Sequence, residues 1–297
     1  MSPLTARHAM VLLVLGNLAG VLSDAFIKTL EGEVAIFQFV LFRLLAAAAF
    51  LLPLVLWFNP GHWRVGLKWH LLRAHILLLG AMCMVPAMTH LPIATAAALF
   101  HSAPLMMLPL AVLWYREKLS RAAIAAALVG FIGVLVVVRP TEINIGALAA
   151  LLVAFSLACN NLLVRKLPHQ HGVLQTLLLT NLFAIPVATL LAIWEGKPWD
   201  LAPAATAVGS SAMIMVYTGL CVVAYRAADS SKIASAEYTA LIWAGLVGLL
   251  WFGERPDLPM VAGAVLIITP MWWLARLDKN SNRITDPEAD PRAAQDV

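Results

Sequence analysis

Residues 94–139 read ATAAALFHSAPLMMLPLAVLWYREKLSRAAIAAALVGFIGVLVVVR, and residues 231–276 follow the same plan at low identity. Each stretch is an apolar helix, a Trp-aromatic pair, a lone Glu in a charged turn, and a second apolar helix. Leu113-Trp114-Tyr115-Arg116-Glu117 falls on Leu250-Trp251-Phe252-Gly253-Glu254, an offset of 137 residues. Ser120 falls on Asp257, both suited to cap the helix that follows, and Arg139 and Arg276 close the two stretches. The same offset runs without a gap back to Lys28 on Arg165, Gln38 on Gln175 and Trp57 on Trp194. The chain is therefore a duplicated unit, 8–139 and 145–276, followed by a polar, Pro-bearing tail, 277–297, expected to be cytoplasmic and disordered.

Composition sets the class. The chain is 62% hydrophobic and 12% charged, whereas a soluble domain carries about 25% charge. Apolar runs of about 20 residues are membrane spans. We expect an all-α polytopic membrane protein with ten spans, at about 8–27, 34–58, 73–91, 94–115, 121–138, 145–164, 173–194, 206–227, 231–252 and 258–276. A net charge of +4 does not point to nucleic acid, because the basic residues sit in short loops between the runs. With the N-terminus cytoplasmic, that side holds 15 of the 20 Lys and Arg, the opposite side holds Lys28, Arg139, Lys197 and Arg255, and Arg43 lies within a span. The excess of cytoplasmic cations sets the orientation. Both termini then face the cytoplasm of a bacterial-type inner membrane. Five spans per unit place the second copy upside down relative to the first. Inverted repeats of this kind build alternating-access carriers, with the substrate held near the midplane.

Phe42-Arg43, the Ala-rich run Ile93 to Leu99, Pro104 followed by Glu117, and Glu254-Arg255 with Gly263 carry a family resemblance. The chain resembles the drug/metabolite transporter superfamily in its ten-helix EamA-type branch, and within it the YddG-type exporters of aromatic amino acids and paraquat. Two positions depart from that pattern: Leu241 stands where a Pro is expected, and Ala126 where a Gly is expected. The resemblance implies two inverted five-helix repeats, a monomer, a small-molecule substrate and export by alternating access. No cofactor is implied.

Polar groups inside apolar spans are costly and usually face a cavity or a partner. Asp24 either pairs with Lys28 one turn on or offers a carboxylate to a substrate ammonium. Arg43 either ties helix backbones together or receives a substrate carboxylate on its planar fork. His101, beside Pro104, and Asn160 are ligand contacts or interhelical hydrogen bonds. Glu237 is a partner for Lys232 or Arg226, or else the site of a substrate amine or a proton. Phe100, Tyr238 and Trp243 supply an aromatic wall or simple packing. His101, Glu237 and Tyr238 are expected nearest an amphiphilic zwitterion, with the helices before Glu117 and Glu254 keeping them near the midplane. Pro86, Pro104, Pro109 and Pro186 are expected to weaken their helices. Catalytic and metal motifs are lacking, as is a phosphate-binding Gly loop, so this is not read as an enzyme and ATP does not drive it. Export of neutral or aromatic amino acids is the expectation, and proton-coupled antiport of aromatic cations the alternative.

Overall fold

In the computed structural model the described residues are 6–30, 34–58, 65–139, 144–168, 172–227, 236 and 239–285. Among them every regular element is a helix. They are α1 (Ala6–Lys28), α2 (Ile36–Phe58), α3 (Leu67–His90), α4a (Ile93–Phe100), α4b (Ala103–Tyr115), α5 (Arg121–Val138), α6 (Ile145–Leu163), α7 (Val173–Trp194), α8 (Ala202–Ala227), α9 (Thr239–Phe252) and α10 (Leu258–Thr285). With α4a and α4b counted as one, eight helices are long and apolar enough to span a membrane, and α9 and the apolar part of α10 add two shorter ones. The chain is an all-α, ten-helix polytopic membrane protein.

Local chemistry explains the boundaries. Ser120 and Asp257 cap α5 and α10 at repeat-equivalent positions, accepting from the amides of Ala123 (3.1 Å) and Met260 (3.0 Å). The turns before them match as well. Arg116 and Gly253 both take left-handed φ, 53° and 64°, and the next amides, of Glu117 and Glu254, reach back to the carbonyls of Ala111 and Gly248. Gly253 adopts this φ without strain, whereas Arg116 carries its cost.

Helix α8 starts at Ala202 rather than 206, the expected start of α9 at 231 lies outside the described residues, and three further boundaries differ from the sequence reading. Helix α3 begins at Leu67 rather than 73, because Lys68 and Arg73 extend it into the polar zone without breaking it. Helix α10 runs past Arg276 to Thr285, so 277–285 is helix and not tail; the next proline, Pro287, lies beyond its end. The fourth span is interrupted only at His101-Ser102, one step ahead of Pro104. Proline has no N–H to give. His101 and Ser102, three and two residues before it, offer side-chain donors to the last carbonyls of α4a: His101 Nδ1 meets Ala97 O at 2.7 Å and Ser102 Oγ donates to Leu99 O at 2.6 Å. Pro86, Pro109 and Pro186 sit inside unbroken α3, α4b and α7.

The two repeats are intercalated. The most extensive packing pairs are α1 with α8, α3 with α6, α2 with α7, and α5 with α10. Exchanging the repeats turns α1–α8 into α6–α3 and returns α2–α7 and α5–α10 to themselves. The packing thus obeys a pseudo-twofold axis, as inverted repeats require. Helices α5 and α10 meet at bare backbone: a Cβ on Gly263 would lie 2.7 Å from Gly133 O and would clash with Val137 Cγ2.

Candidate functional site

A cavity of about 220 Å³ lies among α2, α3, α7 and α8. Its lining falls into repeat pairs at the offset of 137. Val40 faces Leu177, Arg43 faces Thr180, Leu44 faces Asn181, Ala47 faces Ala184, and the α3 and α8 residues pair in the same way. A cavity lined by symmetry mates sits on the pseudo-twofold axis. Motion that exchanges the two repeats leaves it central.

The chemistry of the lining is not symmetric. The first repeat gives one charge, Arg43, amid Leu and Ala. The second gives Thr180, Asn181, Ser211 and Thr218 at the positions of Arg43, Leu44, Ala74 and Ala81. The hydroxyl protons are already committed. Thr180 donates to Thr176 O (2.8 Å), Thr218 to Ile214 O (2.8 Å), and Ser211 to Arg43 O (2.9 Å). Their oxygens keep lone pairs, so this wall accepts hydrogen bonds while the Arg43 guanidinium donates them.

Asp24, on α1, acts electrostatically on Arg43. No ion pair within 4.0 Å joins the two, and among the described residues neither side chain has a hydrogen-bond partner. The two lie within electrostatic reach of each other inside the bundle without touching. The i+4 pairing of Asp24 with Lys28 is not what the fold uses.

Lys28 closes one end of the bundle instead. Its Nζ sits 2.7 Å from Glu254 Oε1 and donates to Leu91 O (2.7 Å) and Met88 O (3.2 Å). Glu254 Oε2 accepts the Ile93 amide at 2.8 Å, at the first turn of α4a. One carboxylate thus binds the ends of α1, α3, α4a and α9, over a packed cluster that includes Val21, Ala25, Ile93, Ala97 and Val247. The crevice left there is about 30 Å³. Glu254 and Lys28 are repeat-equivalent to Glu117 and Arg165, at the other end.

That other end, where the basic loops lie, holds a larger cavity among the described residues. A second cavity of about 330 Å³ is bounded by Arg73, Val164, Val173 and Thr176, and Leu177 lines both it and the axial cavity. The symmetry mates of its lining include Ile27, Phe39, Val40 and Ser210, each no more than 1% exposed. The same positions surround a cavity at one end and fill a core at the other. Among the described residues the basic end carries the larger cavity, and the Lys28–Glu254 end only the small crevice.

The remaining candidate residues are distributed as follows. His101 is partly buried with Nδ1 on its own helix. Asn160 is 3% exposed and clasps Arg73, accepting from Nε (2.6 Å) and donating to its carbonyl (3.4 Å). Trp243 Nε1 donates to Val14 O at 3.1 Å, holding α9 on α1, and Phe100 packs on the largest core cluster. Glu237 and Tyr238 lie outside the described residues. Of the sequence candidates among the described residues, Arg43 alone lines the axial cavity, and the fold adds Thr180, Ser211 and Thr218, which propensity alone does not single out. Offset arithmetic from Arg43 would have found Thr180.

Comparison with known proteins agrees with this architecture. A solved crystal structure matches 92% of this chain and 98% of its own at TM-score 0.57 and 18% identity, which speaks for the fold. The S-adenosylmethionine uptake transporter of Rickettsia prowazekii is 26% identical over 267 residues, 88% of this chain and 90% of that protein. The riboflavin transporter of Vibrio cholerae is 27% identical over 222 residues, 72% and 74%. The pseudopaline exporter of Pseudomonas aeruginosa is 24% identical over 286 residues, 92% and 98%. The pattern of the EamA-like transporter family matches residues 7–139 and again 144–275, one match per repeat. The chain is therefore a membrane transporter belonging to the EamA-like transporter family.

Proposed function

We propose that this transporter is a secondary carrier of a small carboxylate-bearing solute with hydrogen-bond donors, an amino acid in the simplest case. The observation that supports it is Arg43 on the axial cavity, its side chain without a hydrogen bond or close ion pair among the described residues, opposite an acceptor wall. A carboxylate would take the guanidinium fork. The substrate's ammonium or hydroxyl groups would meet the oxygens of Thr180, Asn181, Ser211 and Thr218, with Asp24 supplying negative charge. A volume of about 220 Å³ is that of about seven waters at roughly 30 Å³ each, which favours an amino-acid-sized solute. One relative is named for S-adenosylmethionine, itself an α-amino acid.

The carrier works by alternating access: the Lys28–Glu254 end opens as the basic end shuts. With the basic face cytoplasmic, loading from inside and release outside export the solute. Neutral and aromatic amino acids, as for the YddG-type exporters, are the cargo we favour. A second reading draws on Asp24, the one carboxylate within a span interior among the described residues. There it would hold a proton or an aromatic cation in exchange, making the protein a proton-coupled antiporter.

Purified protein in liposomes loaded with Phe or Thr separates the readings. Arg43→Gln should lower amino acid exchange at least tenfold while leaving a cationic dye unaffected. Exchange at the parent's rate by Arg43→Gln would discard the first reading. Loss of dye-driven proton movement in Asp24→Asn, with amino acid exchange intact, would establish the second.

A further inference from the structure

Arg73, at the basic end, is held like a structural residue on one side only. Its Nε donates to Asn160 Oδ1 at 2.6 Å, while its Nη1 is buried with no partner. The repeat mates of this contact decide how to read it. Arg73 corresponds to Ser210, and Asn160 to Ser23. Ser23 and Ser210 are hydrogen-bonded to one another at 2.9 Å, and both are 0% exposed. At the closed end, two neutral hydroxyls therefore make the same interhelical link that Arg73 and Asn160 make at the open end. Fastening α3 to α6 does not require a guanidinium.

What differs at the open end is the cavity of about 330 Å³, which Arg73 lines together with Val173 and Thr176 from the first turn of α7. That helix begins at Val173, behind Gly172, with no side-chain cap, so its N-terminal turn, the positive end of the helix dipole, borders the same cavity as the guanidinium. Thr176 gives its carbonyl to Thr180, and among the described residues its hydroxyl has no partner. An unsatisfied buried N–H is costly. The fixed cation, the uncapped helix start and the hydroxyl share one cavity, and all suit an oxyanion. Leu177 is the side chain common to this cavity and the axial one.

We propose that Arg73, Thr176 and the first turn of α7 form a second oxyanion site at the basic face, where the substrate carboxylate docks before passing Leu177 to Arg43. This rests on the carboxylate reading of the axial cavity. The same chemistry would also hold a phospholipid phosphate, and we commit to the soluble carboxylate.

The test is the rise in unfolding midpoint produced by sodium acetate over sodium gluconate at equal ionic strength, on full-length protein in dodecyl maltoside. Each occupied site adds its own stabilisation. Arg43→Gln and Arg73→Gln should each keep roughly half of the parent's rise, the double variant should show none, and Arg73→Lys should stay near the parent. Thr176→Val, which leaves both cations in place, should also weaken the rise. An undiminished rise in both Arg73→Gln and Thr176→Val overturns this site. An undiminished rise in Arg43→Gln alone overturns the axial reading, so the two failures are distinguishable. Phosphatidylglycerol added to the micelles should leave the Arg73-dependent part unchanged. If it abolishes that part, the site belongs to lipid phosphate and the substrate assignment is wrong.

Discussion

Removing the Glu254 carboxylate should open the face that Lys28 closes, and the geometry sets the size of the effect. The pair is tight, at 2.7 Å, and largely withdrawn from solvent, with side chains 14% and 16% exposed. Breaking a fully buried pair costs about 3–5 kcal/mol, and exposed pairs contribute about 0–1 kcal/mol; this one belongs between them, at about 2 kcal/mol. Glu254→Gln keeps an oxygen for the Ile93 amide, so it loses only the charge. Glu254→Ala also loses that N-terminal contact, worth about 1 kcal/mol. At about 1.4 kcal/mol per tenfold, the open population should rise roughly 20- to 30-fold in the first variant and more than 100-fold in the second. The reporter is Ala97→Cys, 6% exposed beneath the pair, in a background lacking Cys83, Cys159 and Cys221. Its rate of alkylation by a membrane-impermeant maleimide measures opening. Rates within twofold of the parent in both variants would refute the closing role of this pair.

Three further outcomes are expected. Gly263→Val should lower the unfolding midpoint, as overpacking costs about 1–3 kcal/mol, because its Cβ meets Gly133 O and Val137 Cγ2; α5 and α10 do not line the axial cavity, so the apparent affinity measured in transport should stay at the parent's value. The Met260 amide, first, and then Arg139 hold the Asp257 carboxyl below its ordinary 3.8. A lowered folded value means that its stabilisation is present above about pH 4 and lost as pH falls through the lowered value; Asp257→Ala should cost about 1 kcal/mol at neutral pH and flatten the acid limb of a stability–pH curve. A single cysteine placed at Asn144 should react with impermeant reagent added outside intact cells, whereas reaction only after permeabilisation would reverse the proposed orientation.

Class, duplication and span count were legible in the residues because they are local or periodic properties. About twenty apolar residues span a bilayer whatever their neighbours, and an offset of 137 can be read on paper from Glu117 to Glu254. Turn and cap chemistry was equally local: Ser120 and Asp257 do what their types predict. Contacts between spans were a different matter. Sequence spacing offered Lys28 to Asp24, one turn away, but the crossing of α1 with the end of α9 gave it to Glu254. Asn160 and Trp243 looked able to meet a ligand, yet their hydrogen bonds go to Arg73 and Val14. Intercalation of the repeats accounts for these outcomes. With α1 on α8 and α3 on α6, each span's neighbours come mostly from the other copy, far away along the chain. That interleaving put Arg43 opposite Thr180 on the axis, left Arg73 on a cavity, and buried its counterpart Ser210. Side-chain type sets what a residue can bind, but only the packing of distant helices decides which partner lies within reach.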